Sequence, residues 1–245
     1  MKECIVLAVA LTAVMLAGSA RESRSGAFMP VDSLKTPVDS VAYAFGASIA
    51  RDLKRTGLES LNSEVLARAI SDIFAGRESV IGEAEAHELI MRTLSAAREK
   101  MDARLKEAAS SFMEANKTRP GIQETTSGLQ YEVLREGTGP KPALSDTVTV
   151  HYKGQLPDGT VFDSSYERGE PVTFPLNRVI EGWQEGVQLM PAGSHYRLYI
   201  PYELGYGERG AGQNIPPYSP LIFEVELLSV QPAAETTEGE TTTLR

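Results

Sequence analysis

The chain is poor in cysteine, in histidine and in clustered basic residues, and each shortage excludes a class of function. Its 245 residues include one cysteine, Cys4, and three histidines. His87, His151 and His195 lie in different predicted elements, at no spacing typical of metal ligands or of a catalytic triad. The sequence therefore predicts no disulfide scaffold, no metal site and no cofactor, and it offers no hydrolytic or redox chemistry.

The charge balance excludes a second class of partner. The formal net charge is −9, and the basic residues form no cluster along the sequence. A chain of this kind is unsuited to binding nucleic acid or an anionic membrane surface. The hydrophobic fraction of 42% is ordinary for a globular protein, and the length allows two modest domains.

The first 20 residues are typical of a secretory signal peptide. Lys2 gives a minimal basic start, and residues 5–17 form an apolar run that is too short for a membrane span. Residues 18–20 are small, as a cleavage site requires. The alternative is a buried N-terminal helix, which would need the polar face that this run lacks.

A lipid anchor is not predicted for the exported chain. Residues 16–19 resemble a lipoprotein processing box, but Ser19 stands where the lipidated cysteine is required, and Cys4 lies inside the signal. We therefore expect a mature chain without cysteine that is secreted across the inner membrane into the periplasm. Residues 21–35 are polar and are predicted to form a flexible segment.

Two short amphipathic helices are predicted next. The first starts with Thr36 as its cap, followed by a proline, and ends at Gly57. The second is capped by Asn62 or Ser63 and ends at Gly76. Their apolar faces consist of Ala42, Phe45, Ile49 and Leu53 in the first helix and of Leu66, Ile70, Ile73 and Phe74 in the second.

A long helix follows, from about Glu83 to Asn116, with apolar residues every three or four positions from Ile90 to Phe112. At 1.5 Å per residue it would be about 50 Å long. Three helices of this kind form a marginal core by themselves. The pattern is compatible with an intertwined homodimer through residues 37–115 or with a monomeric bundle from which one helix protrudes, within a helical domain of residues 36–118.

The stretch from Val148 to Ser165 predicts a β-hairpin. Val148, Val150 and Tyr152 alternate with polar residues, and Pro157-Asp158-Gly159 suits a tight turn. The second strand would bring Phe162 and Asp163 next to Tyr152. These three side chains form either an aromatic wall that contains one carboxylate or an ordinary core with a hydrogen-bonded aspartate.

Further motifs follow the hairpin in a fixed order: Val179-Ile180-Glu181-Gly182-Trp183, Tyr206-Gly207, Ile215-Pro216-Pro217 and Phe223 to Leu227. With these motifs, the chain from Ser127 to Val230 resembles the FKBP-type peptidyl-prolyl cis-trans isomerases. The helical half resembles the dimerisation domain that precedes the isomerase domain in the FkpA and Mip branch, and this resemblance favours the homodimer over the monomer.

The resemblance implies an α+β fold. An N-terminal all-α dimerisation domain with a long linker helix would precede an isomerase domain of residues 120–230. In that domain an FKBP-like antiparallel β-sheet would be wrapped over a short α-helix of residues 180–189. Residues 231–245 are rich in threonine and glutamate and are predicted to form a disordered tail.

The resemblance also implies the site. It assigns catalytic positions to Tyr152, Phe162, Asp163, Ile180, Trp183, Tyr206 and Phe223, and substrate-binding positions to Arg168, Val172, Phe174, Val179 and Ile215. Trp183 could instead be a simple core residue. Ala211 departs from the family, because well-known members have histidine there, and this leaves the implied binding of macrolide inhibitors and the substrate preference open.

The implied function is peptidyl-prolyl cis-trans isomerisation during the folding of exported proteins, combined with chaperone activity. The partners would be unfolded or partly folded polypeptides that contain proline. The reaction is rotation about an amide bond, so it needs no nucleophile and no cofactor. The alternative is a non-catalytic chaperone that holds unfolded chains.

Overall fold

The computed structural model describes residues 34–233. The predicted signal peptide, most of the expected flexible segment and residues 234–245 of the expected tail lie outside the described residues. Helix α1 spans Pro37–Arg55. The chain divides into two compact units within this helix: the first unit ends at Arg51, and the second begins at Asp52. The cap is reciprocal: Asp39 N–H donates to Thr36 Oγ1 at 3.2 Å, and Thr36 N–H donates to the Asp39 carboxylate at 2.9 Å.

The other two predicted helices are also present. Helix α2 spans Ser63–Phe74, and its cap is Asn62, whose side-chain oxygen accepts from two backbone N–H groups of the first turn. Helix α3 spans Glu83–Lys117, which makes it about 50 Å long. Neither α1 nor α2 has a buried residue. Within residues 34–233, no helix combines the length and the apolar character that crossing a membrane would require.

The second half of the chain forms one antiparallel sheet. The strands are β1 (Ile122–Glu124), β2 (Gln130–Arg135), β3 (Thr147–Gln155), β4 (Val161–Ser164), β5 (Val172–Pro175), β6 (His195–Ile200) and β7 (Leu221–Gln231). Their order in the sheet is β1-β2-β6-β7-β3-β4, and β5 also pairs with β3. Strand β7 extends through the position at which the tail was expected to begin.

Two short helices belong to the sheet region, α4 (Ser165–Arg168) and α5 (Glu181–Gln188). Helix α5 approaches β6 closely because it presents two glycines to that strand. A Cβ atom on Gly182 would lie 2.3 Å from the Ile200 side chain, and one on Gly186 would lie 2.7 Å from the Leu198 side chain. The predicted α+β fold, in which a sheet covers a short helix, is confirmed.

The end of α3 is bonded to the sheet by a set of polar contacts that we call the helix–sheet junction: Met113, Asn116, Arg119, Gln130 and Tyr199. Asn116 is 3% exposed, and its Nδ2 donates to Gln130 Oε1 at 2.8 Å. Gln130 Nε2 donates to the Met113 carbonyl at 3.0 Å, and Arg119 donates to the Tyr199 hydroxyl at 3.0 Å. One hydrogen bond therefore pairs the two buried amides, and the last turns of α3 are bonded to strand β2 of the sheet.

Candidate functional site

A cavity of about 630 Å³ opens beside α5, and we call it the α5 cavity. Strands β3, β4, β5 and β7, helix α5 and the loop between β6 and β7 all contribute to it. Every site residue predicted from the sequence lines this cavity except Arg168. The lining consists of Tyr152, Phe162, Asp163, Val172, Phe174, Arg178, Val179, Ile180, Trp183, Tyr206, Ala211, Gly212, Gln213, Asn214, Ile215 and Phe223.

Aromatic rings around Trp183 form the apolar part of the lining. The Trp183 ring meets Tyr152 at 5.2 Å and Phe223 at 5.1 Å between centroids, edge to face in both pairs. Phe174 lies 5.6 Å from Trp183, and Phe162 packs edge to face on Phe223 at 5.5 Å. Such pairs are stabilised beyond the burial of their area, so each ring holds the position of the next.

A glycine in β3 lets two of these rings approach the strand. A Cβ atom on Gly154 would lie 2.6 Å from the Phe162 ring and 2.7 Å from the Phe223 ring. Gly154 pairs with Asp163 across β3 and β4 and with Phe223 across β3 and β7. Any larger residue would therefore displace the aromatic lining.

The one carboxylate in the lining is held by two partners. Asp163 accepts hydrogen bonds from the Tyr152 hydroxyl and from the Arg168 guanidinium, and Arg168 Nη2 also donates to the Tyr152 hydroxyl at 3.0 Å. Burial acts to raise the pKa of Asp163, but the bonds from Tyr152 and Arg168 outweigh it, so the pKa lies below its usual value. Arg168 thus lies behind the lining, where it orients Asp163 and Tyr152.

The Tyr206 hydroxyl and the Ile180 N–H lie at the cavity, and neither donates to a protein acceptor among residues 34–233. Burial and then the charge of Asp163 raise the pKa of Tyr206, so its hydroxyl keeps its proton at neutral pH. The backbone beside Ile180 is fixed, because Gln184 Nε2 donates to the Val179 carbonyl at 2.7 Å. Both donors are available to a ligand.

The sequence did not identify every residue of the lining. Arg178, Gly212, Gln213 and Asn214 were not predicted, because a polar residue in a loop is usually a solvent-exposed surface residue. The position of Arg178 directly before the Val179-Ile180 pair was the one signal available. Among residues 34–233, no cluster of three histidine, cysteine, aspartate or glutamate side chains has a geometry suited to a metal ion.

Family models match both halves of the chain. The family model described as FKBP-type peptidyl-prolyl cis-trans isomerase matches residues 139–228. A second one, described as the domain amino terminal to FKBP-type peptidyl-prolyl isomerase, matches residues 38–133.

Individual relatives match over most of their length. The FKBP-type 22 kDa peptidyl-prolyl cis-trans isomerase of Escherichia coli K12 is 43% identical over 206 residues, which is 82% of this chain and 100% of the relative. The outer membrane protein MIP of Legionella longbeachae is 41% identical over 82% of this chain and 89% of its own. The crystal structure of FkpA from Escherichia coli is 36% identical, covers 82% of this chain and 99% of its own, and has a TM-score of 0.63. The chain therefore belongs to the FKBP-type peptidyl-prolyl cis-trans isomerases, enzymes that catalyse rotation about the peptide bond before proline.

Proposed function

We propose that the α5 cavity is the active site of this isomerase and that its substrates are Xaa–Pro bonds in exported polypeptides that are still folding. The observation that carries the proposal is the combination of an aromatic lining with two donors, the Tyr206 hydroxyl and the Ile180 N–H, that lack protein acceptors among the described residues. A pocket of this composition can hold an apolar proline ring and the polar backbone next to it.

Catalysis in such a pocket needs no covalent step. The barrier to prolyl isomerisation is amide rotation, about 20 kcal/mol. The planar amide is more polar than the twisted one, so an apolar environment disfavours the planar ground state relative to the twisted transition state. Phe162, Trp183 and Phe223 supply that environment, while Ile180 and Tyr206 hold the substrate backbone. A differential of about 5–6 kcal/mol corresponds to an acceleration of about 10⁴-fold.

The state of Trp183 supports a role beyond core packing. The residue is 4% exposed, and its indole N–H is buried without an acceptor among residues 34–233. Buried tryptophans usually pair this group, because an unpaired donor destabilises the fold. A tryptophan that served only the core could be replaced by an apolar ring without this cost.

Asp163 acts by orientation in this proposal. Its carboxylate is ionised, so it has no proton to give, and each of its oxygens already accepts a hydrogen bond, one from Tyr152 and one from Arg168. It fixes the Tyr152 ring, which is an edge-to-face partner of Trp183. The carboxylate therefore sets the shape and the field of the cavity.

The helical half supports a homodimer as the active form. Apolar side chains on α2 face solvent in the single chain: Ile70 is 45% exposed and Phe74 is 90% exposed. Exposed apolar residues on one helix face are typical of a protein interface. Light scattering on the mature chain should give twice the monomer mass, and a monomer at micromolar concentration would contradict this part of the proposal.

The same exposed faces favour a second function, the holding of unfolded chains. This chaperone activity is part of the proposal. Export to the periplasm is also part of it, and one relative is named an outer membrane protein. Suppression of aggregation by a variant without isomerase activity would show that holding is a separate function. Equal loss of both activities would show that they share the α5 cavity.

An exchange experiment tests the catalytic proposal directly. NMR exchange on a short Xaa–Pro peptide should show isomerisation well above the uncatalysed rate. Tyr206→Phe should lower kcat/KM by about fivefold, because one hydrogen bond contributes about 1 kcal/mol. Tyr202→Phe is the matched control, since Tyr202 lies outside the lining, and it should leave the rate unchanged. A wild-type rate equal to the uncatalysed rate would refute the proposal.

A further inference from the structure

The rim of the α5 cavity has one charged residue that nothing in the proposed reaction uses. Arg178 ends the 3-10 turn Leu176–Arg178, and its side chain is exposed and lines the cavity. Asp163 is the other charged residue of the lining, and its charge is balanced by Arg168. The charge that the cavity presents to a bound peptide is therefore positive, and it comes from Arg178.

The Arg178 side chain has no ion pair and no hydrogen bond within residues 34–233; the ion pairs of the sheet region use other arginines, such as Arg135 and Arg197. Glu181 is a near neighbour in sequence, and it does not pair with Arg178 and does not line the cavity. An unpaired guanidinium beside a peptide site is a ready partner for a carboxylate.

The backbone that supports Arg178 is held on both sides. Leu176 is fully buried, and its N–H donates to the Asp146 carbonyl at 2.9 Å. On the other side, the Val179 carbonyl accepts from Gln184 Nε2 at 2.7 Å. The backbone of Arg178 is thus held directly before Val179 and Ile180. The Ile180 N–H is one of the two donors proposed to hold the substrate backbone. A substrate held there places the residues that flank its proline near the guanidinium.

We propose that Arg178 makes this isomerase selective for prolines flanked by an acidic side chain. The proposal rests on the α5 cavity being the active site. The contact is the same in the ground state and in the transition state, so it lowers KM and leaves kcat unchanged. Arg178 is in this sense a specificity residue, and the isomerisation step does not depend on it.

A preference for acidic over basic peptides distinguishes the role of Arg178 from an effect of the net charge of the whole protein. The formal net charge of the chain is −9, so the field of the whole protein would favour basic substrates. A preference for acidic peptides must therefore come from a local positive charge. Salt screens both effects, with a Debye length of about 8 Å at physiological ionic strength.

The test uses NMR exchange on the full mature chain with two peptide series, in which Glu, Gln or Lys either precedes or follows the proline. We expect kcat/KM in at least one series to be about threefold higher for Glu than for Gln and about tenfold higher for Glu than for Lys, as suits an exposed ion pair. The difference should lie in KM and should shrink in 0.5 M NaCl.

Two variants and one control make the test specific. Arg178→Gln should abolish the preference for Glu while kcat for the Gln peptides is unchanged, and Arg178→Glu should reverse it toward Lys. Arg209→Gln removes the same charge from the 3-10 turn Gly207–Arg209, which follows the lining residue Tyr206 but lies outside the lining, and should keep the wild-type preference.

The outcomes separate the two proposals. Wild-type activity on the Gln peptides with equal rates for Glu and Lys in both series would overturn the role of Arg178 and leave the active site intact. A preference for Glu that survives in Arg178→Gln would also overturn it. Lack of activity on every peptide would instead overturn the proposed active site.

Discussion

Replacing Gly154 with alanine tests whether the aromatic lining of the α5 cavity must keep its present shape. The backbone of Gly154 does not have the positive φ that only glycine tolerates, so the new methyl group acts through contact alone. It would lie 2.6 Å from the Phe162 ring, against an ordinary contact of at least 3.4 Å, so a ring must move by about 0.8 Å.

The direction of that movement follows from the packing. Phe223 is 4% exposed and is in edge-to-face contact with both Trp183 and Phe162, so it is the more constrained of the two rings. Phe162 is only half-buried and will move into the cavity. Overpacking of this kind costs about 1–3 kcal/mol of unfolding free energy. A displacement near 1 Å in a binding site can lower the rate by up to about 100-fold.

We therefore expect the Gly154→Ala variant to fold. Urea unfolding should show a free energy of unfolding that is lower by about 1–3 kcal/mol, and NMR exchange should show a kcat/KM that is lower by at least about tenfold. Gly46→Ala is the control, since a Cβ atom there meets nothing within 4 Å, and it should preserve activity. Wild-type activity and wild-type stability in Gly154→Ala would refute the argument from ring contact.

Three further predictions follow from the same contacts. Trp183→Ala should destabilise the fold by about 3–5 kcal/mol and should cost more activity than Tyr206→Phe, as urea unfolding and NMR exchange can show. The rate should be constant from about pH 5 to about pH 9, because the pKa of Asp163 lies below its usual value and that of Tyr206 above it; a bell-shaped profile centred near neutrality would contradict this. Asn116→Ala should cost about 1–3 kcal/mol of unfolding free energy because it removes the donor to the buried Gln130 Oε1, whereas Asn177→Ala at an exposed position should not.

Local chemistry explains why the helices and their starts were predictable. The caps at Thr36 and Asn62 involve side chains within three residues of the groups that they satisfy, so the sequence alone contains the signal. The hairpin turn at residues 157–159 is equally local, since Gly159 has the positive φ that such a turn requires.

The prediction that the lining residues share one site came from the order of the family motifs. The sequence predicted only some of the contacts between these residues. The link from Asp163 to Tyr152 was expected from the hairpin. The bond from Asn116 to Gln130 was not, because it joins a helix to a strand through two polar residues that the sequence offers as surface positions. Arg178 was missed for a similar reason: an exposed arginine has no periodicity that separates a cavity rim from ordinary surface.

The helix–sheet junction determines where the molecule can bend. Pro120-Gly121 follows α3, and such a pair in sequence suggests a pivot between helix and sheet. The bonds from Met113, Asn116 and Arg119 reach over that point to Gln130 and Tyr199, so a rotation there would break buried contacts. A change in the angle between the sheet and the far end of α3 must therefore arise in the helix itself, before its buried residue Ala109. The last two turns of α3 then move together with the sheet, and a shortened chain that begins after them would lack the hydrogen-bond partners of the buried Gln130 side chain.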